Sequence, residues 1–223
     1  NFGSATVTNC TFSANSAGVS GGAILNSGSA TVTNCTLSGN SASSSDPTCW
    51  LAGGGGIYNA HGSLPGGGYG GPAVLRLSNT IVVNSPSGGD CCGGTTDDSG
   101  HNLIEDAAIS CDLTHGVNGN IVGVDPLLGR AGLQDNGGPT QTIALLPGSS
   151  AINAGDPEVC ANPPVNGFDQ RGYARPGTGH TQCSIGAYEA DAFSPEACTG
   201  DCGGTGSVTI DEIITLVNMA LGT

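Results

Sequence analysis

Asp97, Asp98 and His101 are the residues whose types best fit a reaction, and they lie in one short segment, Asp97-Asp98-Ser99-Gly100-His101. Two carboxyl groups carry out glycoside hydrolysis, in which one protonates the leaving oxygen and the other activates water or attacks the sugar. The two groups must face each other across the bond that breaks. We therefore take these three residues as candidate catalytic residues for polysaccharide cleavage.

This combination resembles the paired aspartates and the Gly-His of polygalacturonase-like hydrolases. In that family the acids come from separate coils of a solenoid, whereas here they share one turn, so the match covers residue types and not spacing. A polysaccharide lyase would need acids that hold calcium and a base that removes the α-proton, and Arg76 is the only basic residue in the repeated coils. The four histidines have no metal-ligand spacing, and no nucleophile elbow occurs.

Two inserted segments carry side chains that could bind a sugar. Residues 43–53 contain Asp46 and the single Trp50, and residues 60–72 contain His61 and Tyr69. Aromatic faces stack on the apolar faces of sugar rings, so this loop flank is the candidate ligand site. The alternative is that Trp50 packs its own loop against the body of the protein and a neighbouring disulfide.

The tail of the chain contains a segment with the length of an EF-hand calcium loop. Its candidate ligands, at loop positions 1, 5, 7, 9 and 12, are Asp201, Thr205, Ser207, Thr209 and Glu212. The segment and the apolar helix predicted after it resemble one half of a type I dockerin, a module whose halves usually come in pairs. Gly203 and Thr205 replace the usual Asp or Asn at positions 3 and 5, so we expect calcium, the one cofactor suggested, to bind weakly or not at all. The alternative is a helix that docks on the main body through Ile213, Ile214 and Val217.

Ten cysteines in 223 residues favour an oxidising compartment. Short sequence separation favours the pairs Cys198–Cys202 and Cys160–Cys183, and it pairs Cys111 with Cys91 or Cys92 and Cys49 with the other. Cys10 and Cys35 occupy equivalent repeat positions. We expect them to point inward as stacked small apolar side chains, with a bond between them as the alternative.

All of these residues must be positioned by an internal repeat. Residues 3–17 read GSATVTNCTFSANSA and residues 28–42 read GSATVTNCTLSGNSA, so thirteen of fifteen positions are identical at an offset of 25 residues. Apolar residues alternate on both sides of Asn9, which predicts strand, corner and strand, because Asn tolerates the left-handed backbone that a corner needs. One repeat then corresponds to one coil of a parallel β-solenoid, with identical residues stacked about 4.8 Å apart.

The composition suits a solenoid and excludes several partners. Forty glycines and 4% aromatic residues argue against a conventional globular core, whereas small side chains fit a narrow solenoid interior. The net charge is −14 and the chain has four arginines and no lysine, which disfavours nucleic acid, anionic membrane surfaces and anionic polysaccharides. No segment has the length and apolarity of a membrane span, and no stretch of this sequence has the pattern of a signal peptide. Because the chain begins inside a repeat, we expect further sequence upstream.

The repeat continues beyond its two near-identical copies. Leu75 to Val82 reads LRLSNTIV, which aligns Asn79 with Asn9 and Asn34, and a fourth strand region follows at residues 101–105. From residue 124 proline, Asp and Gly interrupt short apolar runs. We therefore predict coils over 1–123 with inserted loops at 43–53 and 60–72, an irregular cap over the solenoid end at 124–193, and a loop-helix tail at 194–223. Within the cap, we expect Arg171 to pair with an acid such as Asp169 or Glu189.

Three blocks in this order resemble the choice-of-anchor Q family of bacterial secreted proteins. They are VDPLLGRAGLQDNGGPTQTIALLPGSSAINAGD, FDQRGYARP and CSIGAYE, at residues 124–156, 168–176 and 183–189. The resemblance covers about residues 1 to 190. It implies an all-β fold, a right-handed single-stranded parallel β-helix similar in shape to pectate lyases, and it implies no reaction.

The sequence thus predicts a secreted, extracellular or bacterial cell-surface β-helix with a structural, adhesive or matrix role. Self-association end to end through open β-helix ends would build fibres from such a module. A polysaccharide or cell-surface glycan is the other expected partner. The alternative function is a carbohydrate-active enzyme, either a lyase or a glycoside hydrolase, or a glycan-binding module that uses the loop flank.

Overall fold

The two copies of the repeat lie directly on each other in a computed structural model. The structure describes residues 1–44, 49, 53–60, 73–93, 96–192, 208–210 and 213–214. Ser4 to Thr8 pair with Ser29 to Thr33 as parallel strands at the offset of the repeat. The chain is an all-β parallel β-helix, as the sequence predicts.

The described strands are short, and each is followed by a turn. They are β1 Ser4–Thr8, β2 Thr11–Ser13, β3 Ser16–Ala17, β4 Ile24–Asn26, β5 Ser29–Thr33, β6 Thr36–Ser38, β7 Ser41–Ala42, β8 Ile57–Asn59, β9 Val74–Ser78, β10 Ile81–Val83, β11 Cys91–Gly93, β12 Thr96–Asp98, β13 Leu103–Ile104 and β14 Ile121–Val122. One α-helix, α1, spans Pro157–Ala161, and a 3-10 turn spans Val117–Gly119.

Equivalent strands of successive coils form three parallel sheets. Sheet 1 has the order β1-β5-β9-β12, sheet 2 the order β14-β13-β10-β6-β2, and sheet 3 the order β11-β8-β4, while β3 pairs with β7. The strands of sheet 1 precede the corner and those of sheet 2 follow it. Each of the first three coils therefore contributes one strand to each of the three sheets.

The corner between sheets 1 and 2 is a ladder of left-handed residues. Asn9, Asn34 and Asn79 have φ values of 50°, 50° and 48°, which confirms the alignment of the third coil. His101 continues the ladder with a φ of 55°, because Leu103 pairs with Ile81 two residues further on. Asn adopts this backbone more readily than most residues, so the repeat fixes where each coil bends.

The interior contains the inward residues of the three sheets. They form one buried cluster that includes Val32, Leu37, Leu77, Val82 and Ile104, with Cys10 and Phe12 packed against it. Glycines close the turns before sheet 3, where a Cβ on Gly22 would collide with the carbonyl of Gly55 in the next coil. Stacked small residues and close backbone contacts thus replace a thick globular core.

The segment from residue 124 lies along the side of the β-helix, where it contacts several coils. Its backbone meets the first coil where Asn9 donates to Phe168, the third where Asn79 meets Asp156, and the fourth where His101 meets Ala154. Cys111 and Leu113, which precede this segment, belong to the interior cluster.

The physical reason is the second apolar face of sheet 2. Val82 points inward, whereas its neighbours Ile81 and Val83 point outward into a second buried cluster with Leu128 and Ile185. A strand that is apolar at consecutive positions is buried on both faces, so an outer layer must cover it. Residues 124–192, which we call the flanking segment, supply that layer.

The described part of the tail is short. Ile213 N–H donates to the carbonyl of Thr209 at 3.1 Å, a helical hydrogen bond, and Ile210, Ile213 and Ile214 are exposed. Docking of the tail helix through Ile213 and Ile214 is therefore not seen at these two residues, and Val217 lies outside the described residues. Within the described residues no helix has the length and apolarity needed to cross a membrane.

Candidate functional site

Asp97 lies on the outer face of sheet 1, beside Arg76 in the parallel register. Its Oδ2 is 2.9 Å from Nε of Arg76, and the two side chains are about half exposed. Arg76, the only basic residue in the repeated coils, is thus paired with Asp97. An exposed ion pair of this kind contributes at most about 1 kcal/mol, because water screens both charges.

Asp98 faces the opposite side of the same strand, in line with the buried Leu77. Its Oδ1 accepts a hydrogen bond from Gly100 N–H at 2.9 Å, and its Oδ2 accepts from the amide groups of Asn118 at 3.0 Å and Asn120 at 2.7 Å. This carboxylate therefore ties the last turns of the β-helix together. It does not face Asp97 across a shared ligand position.

His101 is a corner residue, and its ring lies against Gly119, where an added Cβ would come within 2.7 Å of the ring. Nδ1 is 2.8 Å from the carbonyl oxygen of Ala154. Because a carbonyl only accepts, Nδ1 carries the proton in this contact. The ring thus fastens the flanking segment to the fourth coil, and the three candidate catalytic residues each take part in a separate structural contact.

Three disulfides connect described residues. Cys49 is bonded to Cys92, Cys91 to Cys111 and Cys160 to Cys183, with Cα separations of 5.2, 5.0 and 6.5 Å. Of the two arrangements that the sequence left open, the structure has Cys111 with Cys91. The pairing predicted between Cys198 and Cys202 lies outside the described residues.

Cys10 and Cys35 are free thiols stacked in neighbouring coils, as predicted. Cys35 is fully buried and its Sγ is 3.2 Å from the carbonyl of Thr33. A hydrogen bond from Cys35 lowers the pKa of the Cys10 thiol to about 6 against opposing burial. Burial is the main cause that raises the pKa of the Cys35 thiol, and its hydrogen bond with Cys10 raises this pKa further.

The flanking segment has two buried arginines. The guanidinium of Arg171 pairs with Asp169 at 2.7 Å, an acid that the sequence proposed for it. It also lies between two aromatic rings, 4.1 Å from the centroid of Tyr173 and 3.7 Å from that of Tyr188. Local spacing indicates the ion pair, whereas the two rings come together only in the fold.

The second buried arginine, Arg175, pairs with Glu189 at 2.9 Å, and both side chains are fully buried. Glu189 also accepts hydrogen bonds from the N–H groups of Gly177 and Ser184. Burial lowers the pKa of Arg175, and the charge of Glu189 acts in the opposite direction. Sequence analysis missed this pair, which holds the segment together and is closed to solvent.

A groove of about 390 Å³ separates the outer face of sheet 1 from α1 and the residues after it. We call it the sheet 1 groove. Its lining residues are Thr31, Thr33, Arg76, Ser78, Ser99, Asp156, Glu158, Val159, Asn162, Pro163 and Pro164. The helix is placed by Asp156, which caps it by accepting from the N–H of Glu158 at 2.8 Å.

The remaining candidate residues can be placed only in part. Asp46, Trp50, His61 and Tyr69 of the loop flank lie outside the described residues, as do Asp201, Thr205, Ser207 and Glu212 of the calcium loop. Thr209 is described, and its carbonyl accepts the helical hydrogen bond from Ile213. Across the described ranges, no three His, Cys, Asp or Glu side chains come close enough to hold a metal ion.

The family model for the Chlamydia polymorphic membrane protein repeat matches residues 9–27 and 34–60. Each match begins at a corner asparagine, Asn9 or Asn34, and ends just after the sheet 3 strand of that coil. The matches cover about a fifth of the chain, so the likeness is one of repeat to repeat. No curated protein and no solved structure matches the chain.

Proposed function

We propose that this chain is a non-catalytic β-helix module that is secreted or displayed at a cell surface, where it has a structural or adhesive role. The likeness of its coils to repeats of a membrane protein supports this placement. The three disulfides support it as well, because disulfides persist in oxidising environments. The resemblance of residues 124–189 to the choice-of-anchor Q family of secreted proteins points to the same location.

The observation that carries the non-catalytic part is the environment of Asp98. An acid for glycoside hydrolysis needs a free carboxyl group opposite a second one. Asp98 instead accepts from Gly100, Asn118 and Asn120, and Asp97 on the other face pairs with Arg76. The acids that suggested a reaction are thus part of the architecture.

We propose, more specifically, that copies of this chain associate with each other through the ends of the β-helix. The strands β1 to β4 pair with the second coil on one side, and strand edges of this kind accept further strands. A second copy and another coil of a longer β-helix are both suitable occupants. Sedimentation velocity over a range of concentrations detects the second copy, and a single species at all concentrations would contradict it.

Two measurements test the proposal. Antibodies against the chain should label intact cells that produce it, and labelling only after lysis would contradict surface display. The purified chain should release no reducing ends or unsaturated products from a panel of polysaccharides. Turnover that disappears in Asp97→Asn or Asp98→Asn, with the fold retained, would instead establish the carbohydrate-active enzyme.

A further inference from the structure

We propose that the sheet 1 groove is a binding site for an uncharged oligosaccharide. This inference rests on the proposed adhesive role, since adhesion needs a ligand, and it assigns that ligand to residues other than those of the loop flank. Four features of the groove support it: the hydroxyl groups of its floor, the donors and acceptors on its two walls, its charge, and an apolar strip.

The floor of the groove is a regular array of hydroxyl groups. Thr31 and Thr33 of β5 point outward from one coil, and Ser78 at the end of β9 follows Thr33 in the register. Alternate residues of a strand share a face, and neighbouring coils lie about 4.8 Å apart. The floor therefore offers hydroxyl donors and acceptors at a regular spacing.

One of these hydroxyl groups has no hydrogen-bond partner among the described residues. The side chain of Ser78 is 7% exposed, and its Oγ makes no hydrogen bond to any described residue. Buried hydroxyl groups are normally hydrogen-bonded, because an unpaired one costs free energy. This Oγ is itself closed to solvent, so a water held beneath the groove lining would satisfy it and connect it to a ligand.

The sheet side of the groove provides a donor group, and the side of α1 provides an acceptor group. Arg76, on the sheet, is held through its Nε by Asp97, and within the described residues its two Nη groups make no hydrogen bond. Glu158, on α1, has an exposed carboxylate for which the described contacts show no partner. Hydroxyl groups both donate and accept, so a sugar satisfies both walls at once.

The charge around the groove favours an uncharged ligand. Arg76 is neutralised by Asp97, while Asp156 and Glu158 add two negative charges. The whole chain carries a net charge of −14. An anionic polysaccharide would therefore be repelled.

An apolar strip borders the polar floor. Val159, Pro163 and Pro164 line the groove on the side of α1. Sugars present C–H faces beside their hydroxyl groups, and a mixed lining of this kind suits them. The volume of about 390 Å³ falls within the range of small-ligand sites.

The test is titration calorimetry of the purified chain with cellohexaose, xylohexaose and mannohexaose as uncharged probes. Oligogalacturonate and a glucosamine oligomer serve as the anionic and cationic probes. At least one uncharged hexaose should bind, and Thr31→Val and Arg76→Met should each weaken it by about tenfold, the loss expected for one or two hydrogen bonds to the ligand. Thr6→Val is the matched control, because Thr6 is the neighbour of Thr31 in the register and lies outside the groove lining.

Each outcome decides the question. The proposal is overturned by the absence of binding to all uncharged probes, by affinities that Thr31→Val and Arg76→Met leave unchanged, or by stronger binding of a charged probe. Thermal unfolding of each variant shows whether the fold is retained, and since both changed side chains are on the outer face, we expect it to be. Chromatography of the recovered probe separates this result from the proposed function: a cleaved probe contradicts the non-catalytic role, whereas an intact, unbound probe contradicts only the groove.

Discussion

The side chain of Asn79 forms a reciprocal pair of hydrogen bonds with the backbone of Asp156. Its Oδ1 accepts from the Asp156 N–H at 2.8 Å, and its Nδ2 donates to the Asp156 carbonyl at 3.2 Å. The two residues are 77 positions apart. One corner asparagine thus both bends a coil of the β-helix and fastens the flanking segment to it.

Replacing Asn79 should separate these two roles. Asn79→Gly keeps the left-handed backbone and loses both hydrogen bonds, so the free energy of unfolding should fall by about 1–3 kcal/mol. Asn79→Ala should cost about 1 kcal/mol more, because alanine resists a φ of 48°. Urea unfolding measures both. Asn9→Gly is the control, since Asn9 donates one bond, to Phe168, at the exposed end of the ladder; an equal loss at both sites would contradict this assignment.

The corner ladder is a part of the fold that could be predicted from the sequence. The repeat predicts the corners at Asn9, Asn34 and Asn79 because left-handed Asn and alternating apolar residues are local signals. It did not predict the side placement of residues 124–192, although the run Ile81 to Val83 indicates a strand buried on both faces. The bonds of Asp98 were beyond prediction, because Asn118 and Asn120 reach it only when the last turns are stacked.

Asp98 and Asp97 should differ sharply in their effect on stability. Asp98→Ala leaves the amide groups of Asn118 and Asn120 without their acceptor, and we expect a loss of about 2–4 kcal/mol in the free energy of unfolding. Asp97→Ala removes only an exposed ion pair with Arg76 and should cost at most about 1 kcal/mol. Urea unfolding of the two variants makes the comparison. A larger effect at Asp97 would show that the carboxylate of Asp98 is not structural.

The buried pair of Arg175 and Glu189 should be essential for the flanking segment. Glu189→Ala leaves a buried guanidinium without its counter-ion, which typically costs about 3–5 kcal/mol. Hydrogen exchange should then accelerate throughout residues 167–191 while the strands of sheet 1 stay protected. Asp191→Ala is the control, because its ion pair with His180 lies at the surface. Unchanged exchange in Glu189→Ala would contradict a role in holding the segment.

Asp90 should make stability depend on pH in a defined direction. Its side chain is buried, and burial raises the pKa of this carboxyl above 3.8, opposed by hydrogen bonds from Ser85 and Asp106. The folded state therefore keeps the proton to a higher pH than the unfolded state does. The stability from this group is complete below pH 3.8 and is lost as the pH rises through the folded pKa.

The variant Asp90→Asn provides the measurement, because an amide side chain does not titrate. The wild-type chain should gain stability relative to this variant as the pH falls from about 7 toward about 4, in urea unfolding at each pH. The amide has one acceptor oxygen where the carboxylate has two, and this loss shifts the difference by a constant and leaves its slope readable. A difference that does not change with pH would contradict the raised pKa.

Cys10 should react as a thiolate near neutral pH, whereas Cys35 should not react in the folded chain. The pKa of Cys10 is lowered to about 6 by the hydrogen bond from Cys35, and Cys10 is partly exposed, whereas Cys35 is fully buried. Because the thiolate is the nucleophile, alkylation by iodoacetamide at about pH 7 should modify Cys10 and leave Cys35 unmodified, as peptide mass mapping would show. In Cys35→Ala the donor is gone, so the midpoint of the pH–rate profile of Cys10 should rise toward the ordinary value of 9.0. Cys35→Ser keeps a hydroxyl donor and should leave the midpoint near that of the wild type. A profile that is the same in all three chains would mean that the low pKa does not come from the stacked thiol, and that the repeat places these two residues together only for packing.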